Sequence, residues 1–292
     1  MDMELIENQH FTGERALYQS KGLKLVGCLF DDGESPLKES KDLEIINTRF
    51  AWKYPLWYGK GFVVRDCQFD VMSRAGIWYS KDMLFANCHF DSPKMFRRSS
   101  NITLENVSFS DAQETLYFCK GIKLKNVKAD NAPYFCLGCK DLEIDGLSIE
   151  GNYAFDSCKN MRIKNSKLHT KDAFWNCEDL YIEDSLIEGE YFGWNSKNIT
   201  LKNCTIRSHQ GFCYIESLTL INCKVEDSGL TFEYCSNIEA EVVNVIDSVK
   251  NPISGHIKAL GIKELVRDGN PDMDPKDTII EVLGEDGHYH EV

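Results

Sequence analysis

Four of the five tryptophans, Trp57, Trp78, Trp175 and Trp194, fall as two pairs with internal spacings of 21 and 19 residues. Carried along the chain, that spacing adds Arg97, Tyr117, Asp156 and Glu233 to the same series, and places Tyr58, Tyr79, Arg98, Tyr214 and Tyr234 in the series beside it. Aromatic and cationic side chains in a row are the chemistry of a sugar-stacking platform or of anchors for a protein partner. The ligand-binding candidates are therefore Trp57, Trp78, Arg97, Tyr117, Trp175 and Trp194, with Tyr58 and Tyr79 alongside. Cleavage of a sugar polymer asks for more: two carboxylates within reach of one bond, or a base beside Ca²⁺-binding acids. Arg97, Asp156 and Glu233 are the weak catalytic candidates, and coils separate them. No histidine has a recognisable partner, and His288 and His290 lie in a polar tail, where they make poor ligands. No metal or cofactor is expected.

The twelve cysteines invite a metal or disulfide reading until their positions are compared. Cys119, Cys139, Cys158 and Cys177 recur where other repeats have Ser20, Ser40, Ser80 and Ser99; Cys28, Cys67, Cys88, Cys204 and Cys223 alternate with Thr48, Val107 and Ser166. Both series call for a small buried side chain, which a free thiol supplies. Cys136-x-x-Cys139 is the one C-x-x-C, and a zinc site needs a second ligand pair. Unpaired thiols in this number point to a reducing compartment, so a cytoplasmic protein is expected. A lysine series (Lys21, Lys41, Lys60, Lys81, Lys120, Lys140) could grip a polyanion, but Asp42, Asp82 and Asp141 lie beside it and the net charge is −13. That field opposes nucleic acid, and a solvated turn face is the better reading.

The elements that would position these residues follow from a column of turn residues at intervals of 19 to 21: Asn8, Gly27, Asn47, Asp66, Asn87, Asn106, Asn126, Gly146, Asn165, Asp184, Asn203 and Asn222. Gly, Asn and Asp tolerate a left-handed backbone most cheaply. Two residues before each lies an apolar anchor, such as Leu25, Ile45, Val64, Phe85, Leu104 and Leu124, and an alternating strand leads into it. A second alternation ends on Phe11, Phe30, Phe50, Phe69, Phe90 and Phe109, and a third opens the next repeat with Leu56, Ile77, Phe96 or Leu116. Three short strands in about twenty residues make one coil of a solenoid. The fold class is all-β, a single-stranded right-handed parallel β-helix of about 12–13 coils, its Asn residues stacked in an internal ladder. Residues 1–265 form the helix and 266–292 an acidic C-terminal cap, in which the Asp268–Pro275 segment breaks the repeat and Thr278 to Leu283 reads as one more strand. No apolar run approaches membrane-spanning length, and the first residues lack the pattern of a signal peptide.

The repeated Ser/Cys-Lys-Asp/Gly/Asn core, together with Ser248-Val-Lys-Asn-Pro-Ile-Ser-Gly255, resembles the bacterial domain-of-unknown-function family 3737 (DUF3737) over nearly the whole chain. The resemblance implies a pectin-lyase-like β-helix and brings no established activity or site residue. A hydrogenase-related label carried by some members finds no support, because a nickel–iron centre is held by two C-x-x-C pairs and this chain has one.

Three readings follow: a non-catalytic binding or scaffold protein using the aromatic strip on an oligosaccharide or protein; a carbohydrate-active enzyme with a shallow site on that face; or a structural, self-assembling homo-oligomer.

Overall fold

The computed structural model describes residues 3–268 and 274–292. The chain is a right-handed parallel β-helix of about 14 turns, against the twelve or thirteen expected. Its contacts divide it into two compact units, Met1–Gly151 and Asn152–Val292.

In the first unit the rungs Leu23–Val26, Lys41–Ile46, Lys60–Arg65, Lys81–Ala86, Ser100–Phe109, Lys120–Ala129 and Lys140–Gly151 pair in parallel, each with the next. The register puts Leu25, Ile45, Val64, Phe85, Leu104 and Leu124 directly over one another, and all are buried. Hydrophobic burial of this continuous stack drives the fold, since no coil can bury its own apolar face alone. The second strand adds a phenylalanine ladder. The rings of Phe11, Phe30, Phe50, Phe69, Phe90 and Phe109 stack at 4.9, 5.1, 4.8, 4.4 and 4.8 Å, close to the spacing of the strands themselves.

The second unit continues with Lys159–Lys164, Glu178–Glu183, Lys197–Lys202, Glu216–Glu226, Ser236–Lys250, Gly255–Val266 and Thr278–Leu283, all parallel. The register slips at Val242, where the turn Asn is missing from the sequence. The strand expected over 278–283 is present, and Tyr289–Glu291 pairs antiparallel to it, covering its edge. Of the segment expected to break the repeat, residues 269–273 lie outside the described residues. Among the described residues no helix is long and apolar enough to cross a membrane.

The turn column adopts the left-handed backbone read from its composition, with φ from 47° at Asn47 to 54° at Asp66, and 65° and 76° at Gly27 and Gly146. A Cβ at Gly27 would lie 2.5 Å from Asn8 Oδ1, so a side chain there would require the exposed Asn8 amide to turn away. The ladder itself is on the outside. Asn87, Asn106 and Asn126 are exposed, and their amides donate in series to Asp66, Asn87 and Asn106 at 3.0, 3.2 and 3.2 Å. The left-handed residue adds an extra outward position at the corner, and the next residue (Thr48, Cys67, Cys88 or Val107) takes the inward one.

Candidate functional site

In the first unit, Trp57, Trp78, Arg97 and Tyr117 occupy successive rungs and point outward, half-buried. Trp57 and Trp78 stack at 5.2 Å with 9° between their planes. The Arg97 guanidinium lies between the rings of Trp78 and Tyr117, 4.5 and 4.8 Å from their centroids. The indole N–H groups of Trp57 and Trp78 donate to the carbonyls of Ala75 and Lys94. Arg97 Nη2 donates to Glu114 Oε2 at 3.0 Å, with Lys94 on the other carboxylate oxygen at 3.4 Å. Arg97 Nε is buried with no hydrogen-bond partner. This inner column is thus a cation–π and stacking ladder whose rings spend their faces on each other.

The outer column is the exposed one. Tyr58 is 48% exposed, Tyr79 39% and Phe118 52%. Tyr58 and Tyr79 stack at 4.9 Å, and the Lys38 ammonium stands 5.6 Å from the Tyr58 centroid. All three aromatic residues, and Arg98 with them, hold φ between 47° and 57°. For bulky residues this conformation costs about 1–2 kcal/mol each. Elsewhere the column holds Gly138, Asn176 and Asn195, which adopt it cheaply, and Gln19, Glu39, Ser157, Tyr214 and Tyr234, which do not. The rings are therefore there neither for the backbone nor for full burial.

In the second unit Trp175 and Trp194 are 5.8 Å apart at 30°, and Tyr153 and Tyr191 meet Trp175 edge-on at 5.4 and 6.0 Å. Tyr214 packs on Trp194 at 4.9 Å and Tyr234 on Tyr214 at 5.2 Å. Trp175 Nε1 is buried without a hydrogen-bond partner. Asp156 accepts from Asn176 Nδ2 at 3.2 Å and from Ser157 at 2.7 Å, while Glu233 pairs with Lys250 at 3.4 Å. Asp156 and Glu233 stand four rungs apart, about 19 Å at the usual strand spacing. Glycoside hydrolysis needs carboxylates within about 5–9.5 Å, so the two are not brought together as an acid–base pair.

Three features escaped the sequence reading. Phe118 belongs to the Tyr58 column and is found by continuing the register. Tyr54, Glu114, Tyr153 and Tyr191 form a column three residues before the strip, which supplies the partners of Trp57, Arg97, Trp175 and Trp194. His89 has partners after all: Nδ1 meets Ser108 Oγ at 2.7 Å and Nε2 meets Asp91 Oδ1 at 2.9 Å. Ser110 and Gln68 also donate to Asp91, at 2.6 and 2.7 Å, and with Ser110 foremost they hold its carboxyl below the usual range. The order hydroxyl–imidazole–carboxylate has the look of a nucleophile relay. However, the neighbouring backbone N–H groups of His89, Asp91, Ser108 and Ser110 all donate to ladder carbonyls, leaving none of them to receive an oxyanion. The group is a polar network joining adjacent rungs.

The cysteines are all buried. Cys119, Cys177 and Cys235 donate from Sγ to the carbonyls of Phe96, Phe155 and Phe212, at 3.4, 3.0 and 2.7 Å. Ser80, Ser99 and Ser196 give the same kind of bond from Oγ to Leu56, Ile77 and Phe174. Ser and Cys alternate here because either can satisfy a buried carbonyl within a small volume. Among the described residues no three His, Cys, Asp or Glu side chains are grouped to hold a metal.

These features define a parallel β-helix with columns of outward aromatic side chains. The sequence matches the family described as protein of unknown function (DUF3737) over residues 4–281, and the chain belongs to that family. No curated protein sequence matches it. Among solved structures it is similar to PfbA, a surface adhesin of Streptococcus pneumoniae (10% identity, 99% of this chain and 91% of that one, TM-score 0.38). It is also similar to the tailspike of E. coli bacteriophage HK620, determined in complex with a pentasaccharide (8% identity, 96% and 73%, TM-score 0.44). A third likeness is to the A-module of the Azotobacter vinelandii mannuronan C-5 epimerase AlgE4 (10% identity, 92% and 88%, TM-score 0.38). Likenesses this distant carry no argument about function.

Proposed function

We propose that this protein is a non-catalytic β-helix that binds a glycan on its outward aromatic columns. Trp57, Trp78, Arg97, Tyr117, Tyr58 and Tyr79 would serve in the first unit, and Trp175 and Trp194 in the second. The observation that carries the reading is the strained, exposed aromatic column: Tyr58, Tyr79 and Phe118 hold left-handed backbones that Gly or Asn would adopt at lower cost. The left-handed backbone is shared by buried Phe96, Leu116 and Phe155, so what sets this column apart is that its rings remain exposed. Support for a binding role over a catalytic one comes from the spacing of Asp156 and Glu233 and from the committed N–H groups around His89. The net charge of −13 disfavours a nucleic-acid partner. The buried thiols suit a reducing compartment such as the cytoplasm.

The test is tryptophan fluorescence of the intact protein titrated with a panel of neutral and acidic oligosaccharides. A saturable shift, lost in Trp57→Ala or Trp175→Ala while the protein stays folded, is expected. No response to any sugar would refute the glycan reading and turn attention to protein partners or self-assembly.

A further inference from the structure

The tyrosine stack of the first unit has an end. One face of Tyr58 is covered by Tyr79; on the other side the next two residues of the column are Glu39 and Gln19, which carry no ring, and the Lys38 ammonium stands 5.6 Å from the ring centroid. There a groove of about 500 Å³ opens, lined by Gln19, Ser20, Lys21, Glu39, Lys41 and Tyr58. That is within the size range of small-molecule sites, about 300–1,000 Å³.

The polar groups of this groove are specific. Glu39 Oε2 accepts from both the Tyr18 hydroxyl and Gln19 Nε2 at 2.9 Å, leaving Oε1 without a donor among the described residues. Those two donors, Gln19 first, hold the Glu39 carboxyl below its usual range, so it is an ionised acceptor at neutral pH. Lys21 and Lys41, neighbours across a backbone bridge between adjacent rungs, line the same groove, and neither makes an ion pair with a described residue. Further along the stripe, Lys60 and Lys120 are paired with Asp82 and Asp141 at 3.7 and 3.6 Å. Like charges on adjacent rungs repel, and an anion bound between them would relieve that repulsion. An aromatic face, a carboxylate acceptor, an amide and an unneutralised cation pair thus converge on one shallow site.

The geometry points to a subsite for an acidic sugar, a hexuronate unit within an oligosaccharide. The apolar face of the pyranose would pack on Tyr58 in place of the Lys38 ammonium, its hydroxyls would donate to Glu39 Oε1 and bond the Gln19 amide, and its carboxylate would lie between Lys21 and Lys41. This rests on the glycan reading above and adds to it the charge of the ligand and the place of one ring. With a net charge of −13 the long-range field repels an anion, so recognition depends on contacts inside a Debye length of about 8 Å.

The experiment is calorimetric titration of the intact protein with trimers of galacturonate and mannuronate, and with the methyl esters of the same trimers. The acid of at least one pair is expected to bind tenfold or more tightly than its ester. Lys21→Met/Lys41→Met should erase that preference, and Tyr58→Asn should weaken acid and ester together. Equal affinity for acid and ester, or a preference that survives the double lysine variant, overturns the acidic subsite and leaves the glycan reading standing. Absence of binding by acids, esters and the wider neutral panel overturns both. Circular dichroism confirms that each variant is folded before it is compared.

Discussion

If the exposed rings are kept for a ligand, replacing one with a residue that suits its backbone should cost binding and little stability. Tyr79→Asn is the sharpest case. The native ring stacks on Tyr58 at 4.9 Å and meets Trp78 edge-on at 6.4 Å, contacts worth together about 1–2 kcal/mol beyond their area. Shortening a side chain already 39% exposed removes about 40 Å² of buried apolar surface, roughly 1 kcal/mol at about 25 cal/mol per Å². Against this, Asn at φ 57° recovers about 1 kcal/mol of backbone strain. The net loss is about 1–2 kcal/mol, a shift in Tm of only a few degrees for a chain of this size. Denaturant unfolding gives the stability and oligosaccharide titration gives the affinity. The expected result is a small stability change with at least a tenfold loss of sugar binding. A loss above about 3 kcal/mol with affinity unchanged would show that the column is a structural stack, and the functional reasoning would fail.

Three further outcomes follow from the same contacts. Phe69→Ala removes a fully buried ring stacked on both neighbours at 4.8 and 4.4 Å and should cost about 3–5 kcal/mol by chemical denaturation; a cost under 1 kcal/mol would show that the ladder does not hold the coils. Asp91 has a depressed folded-state pKa, chiefly from the Ser110 hydroxyl, so its contribution is complete above the unfolded carboxylate value of about 3.9 and is lost as pH falls through the folded value. Unfolding measured from pH 5 down to pH 2 should therefore show a shallower acid-side decline in Asp91→Asn than in the native protein, and identical slopes would contradict the network. Burial pushes the thiols of Cys177 and Cys235 well up and that of Cys213 to about 12, so iodoacetamide at pH 8 should modify none of the three before unfolding; fast labelling detected by peptide mass spectrometry would refute their burial.

Much of the fold is legible in the chain because a solenoid repeats its constraints. Most coils restate that one position must bend left-handed, that the residue two before it must be apolar, and that Ser or Cys must reach a buried carbonyl. The side of the Asn column was misread because alternation alone cannot show that a left-handed residue adds an outward step before Thr48 or Cys67. At the candidate site, Trp57, Trp78, Arg97 and Tyr117 were legible as a column, since register alone brings them together. What register cannot show is orientation. That Trp57 and Trp78 turn their faces to each other, and that Glu114 reaches Arg97 from three residues before Tyr117, depends on side-chain torsions and loop path. Register does set Ser108 beside His89, and continuing the column would have found it; the contact with Asp91, two residues further along, depends on the orientation of the imidazole.

The two units also use their aromatic residues differently, and this bears on what each could hold. In the first, near-parallel planes at 9° in both Trp57–Trp78 and Tyr58–Tyr79 leave ring edges facing outward, so a sugar can lie flat only where a stack ends. Tyr58 is such an end, and the groove lies against it. In the second, Tyr153 and Tyr191 stand at 88° and 82° to Trp175, closing its sides, and the flanking column holds Asn176 and Asn195, where Asn195 Nδ2 donates a hydrogen bond to Asn176 Oδ1 at 3.0 Å. An amide row beside tilted rings offers hydrogen bonds along a strand direction, without a cation pair comparable to Lys21 and Lys41. If both units bind, the first should discriminate by charge at one ring and the second by hydroxyl pattern. Substitutions in one should then leave the selectivity of the other intact.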